Sequence, residues 1–216
     1  MKTDIPWAWK GDLRRGREFT REEEAVVGPG PRVEKIDFST PFGIVTVQGV
    51  FSPGHHPRLK RIELSAISEG YPAGVGESFL FTRPVGAGGC LEELARSLDA
   101  CLRGRTPSFP LPWLDLETVS PFQKKILVTL AGVPRGKVIS YGTLAARAGF
   151  PGAARAVGTA MARNPFPLVI PCHRVIRSSG EPGRFGNGPA LKRALLLREG
   201  VTFDRTGRVN RSCFAD

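Results

Sequence analysis

Three prolines, Pro107, Pro110 and Pro112, fall within residues 105–112, at the middle of this 216-residue chain. Proline has a fixed φ and no amide hydrogen, so neither a helix nor a central strand runs through such a stretch. The fold must be assembled from a part before it and a part after it, and the length suits one large or two small cores. The sequence predicts an irregular extension over 1–34, broken at Gly28-Pro29-Gly30-Pro31, a small α/β domain over 35–112 and a mainly helical domain over 113–216.

The two sides differ in pattern. Ile44-Val45-Thr46-Val47 and a run from Leu59 to Ile67, with Ile62, Leu64 and Ala66 alternating against polar neighbours, predict strands. A Gly-rich loop follows over 70–89. Leu91, Leu94, Ala95, Leu98, Cys101 and Leu102 share one face of a helix, which makes Cys101 a packing residue. Past the prolines, Ser120-Pro121-Phe122-Gln123 has the signature of a helix start, with a capping serine, proline at the first helical position and glutamine three residues after the cap. That helix extends to Ala131. Ser140 caps a second helix ending at Gly149, Pro151-Gly152 opens a third over 153–163, stopped by Asn164-Pro165, and Gly200 closes a last one over 190–198. The paired helices with a glycine-containing turn form a helix-turn-helix pattern. The fold class expected is α+β.

Charge divides at nearly the same place. Residues 1–118 carry 15 basic and 16 acidic side chains, whereas residues 119–216 carry 16 basic and only 4 acidic ones. The whole excess of +11 therefore comes from the second half. A field of that sign attracts a phosphate backbone, although a basic solvated face has the same composition. No apolar run is long enough to span a bilayer, the N-terminus has no apolar signal core, and Cys90, Cys101, Cys172 and Cys213 contain no C-x-x-C pair. A reducing, cytoplasmic setting is expected.

The chemistry converges on Asn164-Pro-Phe-Pro-Leu-Val-Ile-Pro-Cys-His-Arg-Val-Ile176. Cysteine attacks as the thiolate, which a neighbouring histidine or cation favours, and Cys172 is followed by His173 and Arg174. Adjacent side chains usually diverge, so a bridging water or a tight turn at Pro171 is needed to couple them. By themselves these residues fit a nucleophile and a buried structural cysteine alike. His55 and His56 sit in a loop-like Pro-Gly-His-His-Pro stretch and read as surface residues or a weak metal patch. The helix Ala153-Ala-Arg-Ala-Val-Gly-Thr-Ala-Met-Ala-Arg163 is unusual in carrying one long cation, Arg155, among small residues. Small residues fit tight helix packing or close approach to a duplex.

Pro171-Cys172-His173-Arg174-Val175-Ile176, preceded by Asn164-Pro165, resembles the active-site signature of the O6-alkylguanine-DNA alkyltransferases. Val138-Ile139-Ser140-Tyr141, Ala153-Ala154-Arg155-Ala156-Val157-Gly158 and Leu195-Leu196-Leu197-Arg198-Glu199-Gly200 resemble, in order, the segment opening the helix pair, the DNA-binding helix and the closing segment of that family. The resemblance covers residues 119–203, and only loosely 35–113, where it implies a ribonuclease H-like antiparallel sheet. It implies single-turnover transfer of an alkyl group from O6 of guanine, with O4 of thymine as a further target, to Cys172. It makes His173 the base acting through a water, Glu199 the residue orienting His173, Asn164 the brace of the cysteine turn and Tyr141 the proton donor to the leaving guanine. Arg155 holds the place of the flipped nucleotide, and Ala153, Ala154, Ala156 and Gly158 let the helix enter the minor groove. The Cys172 carbonyl and the Val175 amide meet the base edge, while Phe185 and Gly186 line the base pocket. Phe185 stands where the family often has a tyrosine, and Gly186 where it sometimes has a serine. The partner implied is double-stranded DNA, bound by a monomer, with no membrane, cofactor or metal. A non-catalytic lesion sensor of the same fold is the alternative, but such proteins have replaced the cysteine that this chain keeps. A Cys172–His173 hydrolase is a third reading, and it has no use for a basic half.

Overall fold

The computed structural model describes residues 32–40, 43–51, 56–64, 89–103, 105, 109 and 111–215. The readings of 1–31 as irregular, of 70–88 as loop, and of Ala66 and Ile67 as strand lie outside the described residues, as does His55.

Strands β1 (Arg32–Thr40), β2 (Gly43–Phe51) and β3 (Arg58–Leu64) form an antiparallel sheet in chain order. β1 starts at Arg32, so it takes three residues that the sequence placed in the irregular extension. The reason is long-range: β1 pairs with β2 along its full length, from Arg32 opposite Phe51 to Thr40 opposite Gly43. Such pairing overrides a weak local pattern. Val45, Val47, Ile62 and Leu64 turn inward with period-two alternation, and Leu59 joins them beyond the register shift opposite Gln48 and Gly49. Helix α1 (Gly89–Leu102) adds buried Leu94, Leu98 and Leu102 to the same hydrophobic core.

The proline-rich stretch ends in packed structure. Leu111–Trp113 forms a short 3-10 turn with Trp113 buried, and Phe109 and His56 lie against the indole at ring separations of 5.7 and 5.5 Å. Asp115 donates its amide to the Leu59 carbonyl at 2.8 Å, which ties the second half to β3. Buried residues from both halves belong to one continuous hydrophobic core.

Helix α2 (Pro121–Ala131) starts as predicted, with the Ser120 hydroxyl accepting from the Gln123 amide at 3.2 Å. The Gln123 side chain does not complete a capping box. It donates to the Ala160 and Arg163 carbonyls, at 3.2 and 3.0 Å, and so clamps the end of a distant helix. That helix is α4 (Ala154–Ala162), which packs on α3 (Tyr141–Arg147) across a turn carrying Gly149 and Gly152 at positive φ. Ser140 caps α3 by accepting from the Thr143 amide at 3.0 Å. Two short parallel strands, β4 (Ile139–Ser140) and β5 (Val175–Ile176), then bring the start of α3 beside the Cys172 segment. Helix α5 (Pro189–Arg198) packs beneath, with Leu191, Leu195 and Leu196 buried.

Candidate active site

Cys172–Arg174 forms one 3-10 turn leading into β5, and all three side chains are buried. Asn164 sets the approach to it. Its side chain donates to the Ile170 carbonyl and accepts from the Phe166 amide, both at 3.0 Å, which closes the loop before the cysteine. Within that loop Leu168 holds a φ of 72°, a conformation costly for a side chain with a Cβ. Nothing in the sequence marks this residue as strained.

Glu199, just past α5, anchors the cluster under the cysteine. Its Oε1 accepts from His173 Nε2 at 2.9 Å and from Arg174 Nη2 at 2.7 Å, and its Oε2 accepts from Arg174 Nε at 2.8 Å. Arg174 also donates through Nη1 to the Val133 carbonyl at 2.6 Å. Burial pushes the Glu199 carboxyl up, but the hydrogen bonds from His173 and Arg174 outweigh it and bring its pKa down to about 2. The carboxylate is thus permanent at neutral pH. A carboxylate on Nε2 fixes that nitrogen as the protonated one. Burial lowers the His173 pKa further than its Glu199 bond raises it, so the ring is neutral. Its Nδ1, buried and without a protein hydrogen-bond partner, carries the free lone pair.

Burial raises the Cys172 thiol above its ordinary range, opposed by the Asn164 hydrogen bond, the Lys192 charge and nearby backbone amides. The residue as a whole keeps 7% of its surface exposed. Lys192 lies inside the protein at 1% exposure, where its Nζ donates to the Val175 carbonyl at 2.7 Å. Burial pulls its pKa down to about 8, while the charge on Cys172 opposes that fall. Tyr141, half-buried at the start of α3, is within electrostatic reach of the same sulfur. Burial first, then the Cys172 charge, raise its phenol, and Arg177 lowers it.

The structure therefore brings Cys172, His173, Glu199, Asn164 and Tyr141 together. It departs from expectation at Val175, whose amide donates to the Cys172 carbonyl. The two groups expected to meet a base edge meet each other, because a 3-10 turn closes on that bond. Phe185 packs at the edge of the core, and Gly186 is exposed with open space where a Cβ would stand. Arg155 and Ala156 are exposed on α4, Ala153, Ala154 and Gly158 are partly so, and Val157, Ala160 and Met161 hold the helix to the core. Sequence reasoning missed Arg174 as the second partner of Glu199 and missed Lys192 altogether. Lys192 had a signal: it falls on the apolar face of α5, in helical spacing with Leu195 and Leu196. Among the described residues no group of three or more His, Cys, Asp or Glu could hold a metal, and no helix is long and apolar enough to cross a membrane.

Residues 121–201 match the family described as 6-O-methylguanine DNA methyltransferase, DNA binding domain. A methylated-DNA–protein-cysteine methyltransferase of Methanothermobacter thermautotrophicus is 42% identical over 114 residues, which cover 53% of this chain and 64% of that protein. The human protein of the same name is 47% identical over 102 residues, which cover 46% of this chain and 49% of the human one. The matched region is thus less than two thirds of either relative. The crystal structure of Mycobacterium tuberculosis OGT in complex with DNA aligns with a TM-score of 0.57 at 31% identity, covering 76% of this chain and 90% of that one.

Proposed function

This chain belongs to the O6-alkylguanine-DNA alkyltransferase family, and from that premise we propose that it repairs DNA by moving an alkyl group from O6 of guanine onto Cys172. The observation that carries the reading is the His173 ring. Glu199 holds its Nε2, and its lone pair at Nδ1 is left as the acceptor for the neighbouring thiol proton. His173 takes that proton through a water, and the sulfur attacks the alkyl carbon. The carbon–oxygen bond breaks, and Tyr141 supplies a proton to the departing guanine, whose basicity rises as the bond weakens. The product is a thioether, which no group at the site hydrolyses. Each molecule acts once, without a cofactor. O4 of thymine presents the same alkyl–oxygen bond and is the further substrate we propose.

The partner is duplex DNA. The target oxygen lies within the base stack, so the nucleotide must leave it, at a cost of about a few kcal/mol. We assign α3 and α4 to a helix-turn-helix that presents α4 to the minor groove. Gly158 supports this: a Cβ there would meet nothing within 4 Å, so no internal packing demands a glycine. The smoothness of α4 serves a surface outside the protein. Arg155 projects from the same face and fills the space of the extruded nucleotide. The division at residue 112 separates this DNA-binding and alkyl-accepting part from a ribonuclease H-like sheet domain, a reading supported by three antiparallel strands and α1.

The test is label transfer. Duplex DNA carrying O6-methylguanine labelled in the methyl group should place one label per protein molecule, stable to denaturation and lost in Cys172→Ser. Label released as a small molecule with repeated turnover would mark a hydrolase, and binding without label transfer would mark a lesion sensor.

A further inference from the structure

Two side chains from different elements converge beside Gly183. A Cβ placed on that glycine would stand 3.7 Å from the Tyr141 hydroxyl, 3.8 Å from Arg177 Cγ and 4.0 Å from Arg177 Nε. Gly183 has a φ of 76°, a conformation that favours glycine. Arg177 is held in place. Its amide donates to the Glu181 carbonyl and its carbonyl accepts from Gly180, both at 3.0 Å, and its Nη1 donates to Glu181 Oε2 at 2.6 Å. The turn is docked in turn by the Val209 amide, which donates to the Gly180 carbonyl at 2.9 Å. The guanidinium is therefore pre-positioned on a tied turn, while more than half exposed to water.

We propose that Arg177 is a positioning residue for alkyl transfer, stabilising the negative charge that the Tyr141 oxygen takes on when it protonates the leaving guanine. The proposal rests on Tyr141 being the proton donor. The charge can be followed through the step. A sulfur electron pair forms the new carbon–sulfur bond, and the carbon–oxygen electrons remain on guanine. The Tyr141 proton neutralises them, so one negative charge has moved from sulfur to the phenolic oxygen, which then regains, through water, the equivalent of the proton that His173 took from Cys172. Before attack the Cys172 charge opposes ionisation of Tyr141, and that opposition disappears once the sulfur is a thioether. The Arg177 charge, which favours ionisation, persists. The charged groups around the phenol are Cys172, from the 3-10 turn, and Arg177, with Glu181 paired to it and Arg208 3.8 Å from Glu181. Glu181 tempers the guanidinium without removing it.

The experiment is a double-mutant cycle of alkyl-transfer rate constants for wild type, Arg177→Met, Tyr141→Phe and the double variant, on methylated duplex and on free O6-benzylguanine. Arg177→Met should slow both substrates about fivefold, the scale of an ion pair at a partly exposed site, and should have no effect once Tyr141→Phe is present. Arg177→Lys should recover most of the rate. Slowing confined to the duplex would make Arg177 a phosphate contact and overturn the proposal. Equal slowing with and without the tyrosine hydroxyl would overturn it too, leaving Tyr141 as donor. If Tyr141→Phe alone leaves the rate unchanged, the donor role itself fails.

Discussion

Cys172 and Cys101 are both drawn toward the interior, yet their surroundings differ in kind. At Cys101, on α1, burial pushes the thiol up to about 12, and the opposing charges of Arg174 and Glu199 act only from a distance. At Cys172 burial acts in the same direction, but an Asn164 hydrogen bond, a buried ammonium and backbone amides oppose it. Beside it stands His173 with an unpartnered ring nitrogen. Under the proposed function, a proton acceptor and compensating charge near Cys172 would make its sulfur reactive in a place whose burial alone would keep the thiol inert.

The contrast should be broken most strongly at Glu199. Glu199→Gln removes the partner that fixes the His173 tautomer and leaves the Arg174 charge uncompensated. Alkyl transfer should fall by about 10²–10⁴, and stability by about 3–5 kcal/mol, read from rate constants and from denaturant unfolding. Because the folded Glu199 pKa is about 2 against an ordinary 4.5, the wild-type advantage should be complete above pH 4.5 and fade as pH falls through 2. The glutamine variant should lack that slope. Lys192→Met comes next. It removes the cation facing the thiolate, so reactivity at neutral pH should drop about tenfold and recover toward wild type at alkaline pH. An equal deficit at every pH would mean that Lys192 acts only through packing.

At α4 the same logic predicts a divergence between stability and repair. Gly158→Ala should stabilise the protein by about 0.5–1 kcal/mol, since the added methyl meets open space. It should nevertheless slow repair of duplex DNA several-fold while leaving reaction with free benzylguanine intact. The smallest effect is expected at Cys101→Ala, which should leave both rates unchanged, because no described group accepts its proton.

How much of this was legible in the sequence follows from what is local. The Ser120 and Ser140 caps, the α3–α4 pair and the Cys172-His173 signature are short-range patterns, and the structure carries them in place. The charges that complete the site are not local. Arg174 was read only as a cation next to the nucleophile, although its guanidinium turns away to Glu199 and Val133. Lysine on a helix ordinarily reaches for water along its own stem, whereas the Val175 carbonyl holds Lys192 inside. Gln123 has the spacing of a partner for its own helix start, yet its side chain serves α4 instead. The start of β1 depended on β2, far outside any local window.

The central claim is that Cys172, uniquely among the cysteines, accepts the alkyl carbon. Peptide mass mapping of the protein after one equivalent of O6-methylguanine duplex reads it directly. The account predicts a single added methyl group, confined to the peptide containing Cys172. Methyl groups on Cys101 or Cys213, or an unmodified protein beside repaired DNA, would contradict it.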